Sequence, residues 1–565
     1  MTKLFVQGTK DYPRLKRVKA GDRIQFDSAH FTTPLVLDGL VGLPDKPIVL
    51  EPARKRNDHP PTFSSGMDEE KARLWSNRIS RDREASGNFP TVAHLGDQAL
   101  LILRNCQFVT IQSLNFDGCW PAAIYLDHCQ NIAIHDVHFR SGTLAIGAAG
   151  LSSHDIVVQH CFWQQDTSPD HAMWNSIPWP RIHGASNNKK GSSVDVHRDY
   201  RHWDGDFFRA WDIAGNVTIR NNRITDTFNG IHFFNRIDAL PPGVSGAHIP
   251  FNNARRSSRN VIIENNAFLR IRDNIFEPED YAWNWVIRHN LVLDCYRPFS
   301  FELQRAAHIY VYGNAGSFLE PPSTKVAKAE EALFLGDLRK SPSLFKPNGR
   351  QDNEGPIYVV HNSWALNKSV KGILPKFALG GLIHANNAFQ FVRKDKARFF
   401  GRDGAKGGVK QSHRAAEALA LGRRFTRRFA AYRIAVDGDM ANDQNFPDRY
   451  RSVGYSLGPG ASGASPGFSK TTGTLDDPPD YTASHPDIKV GPRDGEMHGL
   501  PELAFKMPFG DPYPLPQAMN RGAVQTCGIY DQIDSAFGFA PDLSWLPKLR
   551  KPRPFPAVEE EEALA

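Results

Sequence analysis

Short blocks of alternating apolar and polar residues recur along this chain, and most of them end in asparagine. They read FVTIQSL, NIAIHDV, DIVVQHC, NVTIRNN, NVIIENN, NWVIRHN, HIYVYGN, PIYVVHN and GLIHANN. Alternation with a period of two predicts a half-buried β-strand in every block. The blocks end at Leu114, Val137, Cys161, Asn222, Asn266, Asn290, Asn314, Asn362 and Asn387, so successive ends differ by 23, 24, 61, 44, 24, 24, 48 and 25 residues. Most steps are one unit of about 24 residues or two, and the 61 and 44 are units carrying insertions. A strand, a turn and further strand in every unit, with asparagine returning at one turn, predicts units stacked like coils of a solenoid. Stacked coils lie about 4.8 Å apart, and an asparagine repeated at one position can hydrogen-bond along the stack.

The fold class that follows is all-β: a single-stranded right-handed parallel β-helix, with long loop insertions and a short helical insertion. The spacing predicts one continuous core from about residue 18 to 390, with Asn222, Asn266, Asn290 and Asn314 in one column. Its parts are an N-terminal cap and first coil (1–53), a polar insertion (54–92) with a short helix near 68–82, and a core (93–392) interrupted at 162–206 and 235–259. A basic helical insertion (393–433) and last coils with an irregular segment (434–565) follow.

Composition narrows the function classes. No run of about 18 apolar residues is present, so no transmembrane helix is expected. The N-terminus MTKLFVQGTKDYPRLKRVKAGD lacks the apolar stretch of a secretory signal. The compartment therefore stays open: secreted or periplasmic if a leader was removed, otherwise cytoplasmic. The six cysteines (106, 119, 129, 161, 295 and 527) show no metal-site spacing and are expected as buried thiols. The net charge of +7 is concentrated in 393–433, where 13 Lys/Arg face 3 Asp/Glu. A solvated basic helix is the first reading of that segment, and neither nucleic acid nor membrane is expected as a partner. The oligomeric state is not legible.

One unit departs from the rest. RDNIFEPEDYAWNWVIRHN (272–290) loads Asp273, Glu277, Glu279 and Asp280 into eight residues. Stacking RAWDIA, GIHFFN, NIFEPE and PFSFEL as successive strands makes Trp211, Ile231, Ile275 and Phe299 inward, and Asp212, His232, Phe276 and Ser300 outward. A bulge at Pro278 would then bring Glu277 or Glu279 to the surface. The catalytic candidates are Asp212, Glu277, Glu279 and His232. Insertions in a solenoid wall a groove on one face. Aromatic and fixed polar groups suit sugar rings, so Trp203, Asp204, Asp206, Arg209, His197, Arg198, Tyr200, Arg236 and Glu302 are the substrate-binding candidates. Packing of the tryptophans against the coils, and solvation or Arg-pairing of the acids, are the structural alternatives.

The segment VKAGDRIQFDSAHFTTPLVLDGLVGLPDKPIVLEPA (18–53) resembles the opening of polysaccharide lyases of the alginate-lyase and chondroitinase-B type, within the pectate-lyase-like superfamily. PGF (466–468) and GAVQTCGIYD (522–531) resemble the closing segment of right-handed β-helix repeat proteins. The resemblance implies the architecture and a carbohydrate-active enzyme, with an acidic polysaccharide or oligosaccharide as the partner. Three functions stand in order: glycoside hydrolase by a carboxylate acid/base pair, polysaccharide lyase, and non-catalytic glycan binder. The hydrolase needs no cofactor. The lyase reading admits Ca²⁺, with Asp204, Asp206, Glu277 and Glu279 as hard ligands.

Overall fold

A computed structural model describes residues 2–53, 60–85, 92–183, 194–234, 258–319, 343–346, 352–353, 357–366, 382–391, 434–437, 440–441, 464–483, 505–506 and 512–513. The basic segment 393–433, Arg236 and most of the second insertion (235–257) lie outside the described residues.

The alternating blocks form one parallel ladder. Gln107–Gln112 pairs with Gln130–His135, then His154–Gln159, Gly215–Arg220, Arg259–Glu264, the second half of Asn274–Arg288, Glu302–Tyr312, Ile357–Val360, Leu382–Ala385 and Ile434–Asp437. The ladder also continues back through Ile48–Pro52 and Arg23–Phe26 to Lys3–Val6, so the coils start within the cap segment. A second ladder follows each turn: Phe162–Gln164, Arg223–Thr225, Ala267–Leu269, Leu291–Leu293, Ala315–Phe318, Ser363–Leu366, Ala388–Phe391. A third holds Asp206–Trp211, Asn229–Phe234, the first half of Asn274–Arg288, and Arg297–Phe299. All these pairings are parallel, and together they make the expected parallel β-helix.

The turn between the first two ladders has one conformation throughout. The residue before each block end is left-handed: Ser113, Asp136, His160, Asn221, Asn265, His289, Gly313, His361 and Asn386 all have φ between 52 and 64°. Asn, Asp, His and Gly tolerate that region best, which explains their recurrence there.

The next residue is the asparagine, and the column is real. The Asn222 side-chain amide and backbone N–H both donate to Asn266 Oδ1, at 2.9 and 3.0 Å. Asn266 does the same to Asn290, Asn290 to Asn314, Asn314 to Asn362, and Asn362 to Asn387, all within 2.9–3.1 Å. The second amide proton goes to a carbonyl one coil back, as from Asn290 to Ile263 at 3.0 Å. Every donor and both acceptor lone pairs of an inner member are used, which lets a fully buried amide column exist.

Aromatic stacking fills the interior. Phe31, Phe63, Phe116 and Phe139 form a continuous stack with centroids 5.0–5.4 Å apart. Phe276, Phe299 and Phe345 form a second stack at 5.1 and 5.0 Å. Each such pair adds about 0.5–1.5 kcal/mol beyond area burial.

The first insertion folds onto the side of the coils. Helical turns at Ala172–Asn175 and Trp179–Ile182 and a 3-10 turn at Arg201–Trp203 enclose a small core of Met173, Ile177, Ile182, Trp203 and Phe228. The helix Glu69–Ala85 clamps its far side. Arg73 donates to the carbonyl of His197 at 2.8 Å and lies over the Tyr200 ring, while the Asn77 amide donates to the Asp199 carbonyl at 2.7 Å.

Candidate active site

The site grows from the register of the third ladder. Phe208, Ile231, Phe276 and Phe299 are partners on successive coils, and all four point into the core. Phe345 extends the row by a parallel bridge to Phe299. Each next residue therefore faces out, giving a row on successive coils: Arg209, His232, Glu277, Ser300 and Lys346.

This register corrects the expected one. Phe276 is inward, and Glu277 reaches the outer face without a bulge at Pro278; the irregularity lies instead between Asp280 and Tyr281. Ile275 and Phe276 are both in the core, so strict alternation fails at the start of this strand. Trp211 is not inward either. It packs on the outside of the ladder with Tyr125, Ile102, Leu144 and Ala149. Asp212 is not opposite Glu277: it follows the end of its strand with φ 52°, three residues beyond the Arg209 position that stacks on His232. Asp206 approaches the row in its place.

The row is bound together by charge. Asp206 ion-pairs with Arg209 and lies 3.7 Å from His232 Nδ1. His232 Nδ1 is also 3.7 Å from Glu277 Oε2, and Nε2 is 3.3 Å from Glu279 Oε2. Glu277 Oε1 accepts the Asn274 amide at 2.8 Å and the Lys346 ammonium at 3.3 Å. Burial works against a charge on His232, but Glu277, Asp206 and Glu279 outweigh it and push its pKa up to about 10. Burial likewise opposes the Arg209 charge, and Asp206, Asp204 and Glu277 more than compensate. Three carboxylates thus face three cations. The Asp206 and Glu277 side chains are 0 and 5% exposed, and Glu279 is 32% exposed. The row opens to solvent at Glu279.

His232, Glu277 and Glu279 also offer one ligand atom each, all within 4.8 Å of one another. An imidazole and two carboxylates suit a hard or borderline divalent ion. This trio differs from the ligand set expected for Ca²⁺. Asp206 belongs to Arg209, and Asp204 Oδ2 sits 3.4 Å from His183 Nδ1.

The remaining candidates lie elsewhere. Trp203 is 2% exposed and stacked on Tyr200, its ring committed to the core of the first insertion. His197 and Arg198 are exposed on the turn held by the helix Glu69–Ala85. The backbone of Glu302 pairs with Glu279, and its side chain is outside the described residues. The first insertion enters at the start of the third ladder, before Asp206, whereas the place of the second lies outside the described residues.

Three residues escaped the sequence reading. Lys346 sits in a stretch without a repeat block, Asn274 was read only as the start of a strand, and His183 is one of many polar residues in an insertion. Only a stacking register reveals the first two, and only the fold of the insertion reveals the third.

No family model matches the chain, and no curated protein matches it. Among solved structures, the chain is similar to an alginate lyase from Paenibacillus sp. str. FPU-7, at 12% identity and TM-score 0.34, over 64% of this chain and 95% of that one. It is similar to a mannuronic acid specific polysaccharide family 6 lyase from human gut microbiota, at 12% identity and TM-score 0.33, over 74 and 96%. It is similar to an exopolygalacturonase from Thermotoga maritima, at 10% identity and TM-score 0.33, over 78 and 79%.

Proposed function

We propose that this protein is a carbohydrate-active enzyme that cleaves an acidic polysaccharide by β-elimination, with the row from Arg209 to Lys346 as its floor. The observation that carries this reading is the gathering of three cations and three carboxylates along one outward row, open at Glu279. Elimination from a uronate requires its carboxylate to be neutralised, so that the proton beside it becomes acidic. Arg209, the His232 imidazolium and Lys346 hold positive charge where a uronate would lie, and the buried acids keep them charged. A divalent ion held by His232, Glu277 and Glu279 would supply the same neutralising charge more strongly. The resemblance of residues 18–53 to alginate-lyase and chondroitinase-B type enzymes points the same way.

The expected acid/base pair of Asp212 with Glu277 or Glu279 has no support in the register, which favours the elimination reading over that hydrolase. Asp212 lies off the row, and Glu277 and Glu279 are both engaged with one histidine, at Nδ1 and Nε2 respectively. Hydrolysis needs two carboxyls flanking the glycosidic bond, about 5–5.5 Å apart for retention or 6.5–9.5 Å for inversion. The test is digestion of a panel of uronate-containing polysaccharides, following ultraviolet absorbance of the unsaturated product and reducing ends together. Both signals should rise in step. Reducing ends without the chromophore would establish hydrolysis, and binding without either signal would establish a glycan-binding protein.

A further inference from the structure

Elimination needs a base, and the row itself does not supply one. His232 is flanked by Asp206, Glu277 and Glu279, and Lys346 is paired with Glu277. Both therefore hold their protons. The first insertion brings another group to the rim. His183 Nδ1 faces Asp204 Oδ2 at 3.4 Å, with the histidine side chain 31% exposed and the aspartate 7%. The ring is fixed on its other sides by Trp179, edge-on at 4.5 Å, and by Phe228 at 6.0 Å. Among the described residues its Nε2 has no hydrogen-bond partner. The dyad borders the row: Asp204 acts on Arg209, and Lys346, the partner of Glu277, lies close enough to His183 to oppose its protonation.

We propose that His183, oriented by Asp204, is the base that removes the uronate proton. This rests on the β-elimination reading above. A buried carboxylate on Nδ1 fixes the tautomer that leaves the Nε2 lone pair outward, and it stabilises the imidazolium formed when Nε2 takes the proton. In that step Nε2 forms a bond to the C5 proton, and the C5–H electron pair becomes the C4–C5 double bond. The C4–O bond breaks toward oxygen, which takes a proton from water, and the imidazolium returns its proton to solvent.

The charged groups facing His183 are Asp204 from the insertion, Asp273 from the corner before the third-ladder strand, and Lys346; Trp179 and Phe228 are neutral. Burial works to lower the pKa of His183, and Asp204 with Asp273 outweighs burial and Lys346, so the net direction is upward. A base must be unprotonated, so kcat/KM should fall as pH drops through the pKa of His183. Removing the Asp204 charge should move that acidic limb to lower pH.

The experiment uses full-length wild type, His183→Ala and Asp204→Asn, with circular dichroism to confirm the fold and the unsaturated product as readout. His183→Ala should lose about 10²–10⁴ in rate and recover part of it with added imidazole. Asp204→Asn should lose less and shift the acidic limb down. If wild type makes the unsaturated product and folded His183→Ala keeps near-normal activity, His183 is not the base. A loss that imidazole does not relieve, with an unchanged limb in Asp204→Asn, also overturns the assignment. If wild type makes no unsaturated product, the elimination reading itself falls, and this role with it.

Discussion

Lys346 places its ammonium 3.3 Å from Glu277 Oε1, reaching past the intervening coil of Ser300 to do so. The contact joins two parts of the chain 69 residues apart and closes the row at one end. Removing one partner of a mostly buried ion pair strands the other and costs about 3–5 kcal/mol. Lys346→Met should therefore lower the thermal midpoint and activity together, as read by calorimetry and product formation. Glu277→Gln keeps the Asn274 hydrogen bond but strands the same ammonium, so it should abolish most activity with a comparable loss of stability.

The stacking register exchanges two aspartates: Asp212, expected as catalytic, lies off the row, and Asp206, expected to bind substrate, joins it. Asp206→Asn removes the carboxylate shared by Arg209 and His232 and should reduce the rate by about 10²-fold or more. Asp212→Asn should leave the rate near wild type, and asparagine tolerates the left-handed turn that residue occupies. Parallel kinetics of the two variants decide the point. Equal losses would mean that the Asp212 carboxylate takes part.

A divalent cation should bind at His232, Glu277 and Glu279. Titration calorimetry with Ca²⁺ and Mn²⁺ should show one site per chain. Glu279→Gln should weaken it, and the thermal midpoint should rise with free cation by mass action. Heat signals unchanged in Glu279→Gln would place the ion elsewhere.

In metal-free protein, the His232 imidazolium should stabilise the fold over a defined pH range. Its folded pKa is raised to about 10 by Glu277, Asp206 and Glu279 against the effect of burial, whereas an unfolded histidine titrates near 6.5. The folded state binds the extra proton, so this stabilisation is complete below about 6.5 and disappears as pH climbs toward 10. Melting curves of chelator-treated wild type from pH 6 to 10.5 should decline more steeply than those of His232→Gln.

The asparagine column should tolerate no interruption. Asn290→Leu removes four hydrogen bonds and strands the two Asn266 donors aimed at Asn290 Oδ1, while Asn314 Oδ1 keeps only the backbone N–H of residue 290. At about 1–3 kcal/mol per stranded group, the urea midpoint should fall sharply. The apolar side chains of Leu114 and Val137 at the same turn do not argue otherwise, since their neighbours on the stack are apolar too. An unchanged midpoint would show that the column is dispensable.

These residues also show what a sequence can and cannot reveal. The column was legible because it depends on one residue type returning at one spacing, and the turn before it restricts which residues can sit there. The face of the third ladder was legible only in part. His232 and Ser300 fall outward as alternation requires, but Ile275 and Phe276 are both buried, which reverses the expected side of Phe276 and brings Glu277 outward without the bulge. Trp211 misled for a different reason. A large aromatic can be buried outside the coils as well as within them, and alternation does not say which. Lys346 joins the row through a single bridge at Phe345, with no repeat block to announce it. Trp203 carries the composition expected of a sugar platform, yet it serves as the core of the very loop it was expected to decorate.

The asparagine column turns each coil into a nearly interchangeable tile. Its bonds reach one coil forward and one back, so the signal for joining is the same at every boundary from Asn222 to Asn387. A whole tile could be duplicated or excised in frame, and the seam would close on the same contacts. The outward row has no such indifference, because Arg209, His232 and Glu277 matter by their order. Endurance and chemistry are thus written at different positions of one tile, and a lineage of such chains could change its length without rewriting its reaction.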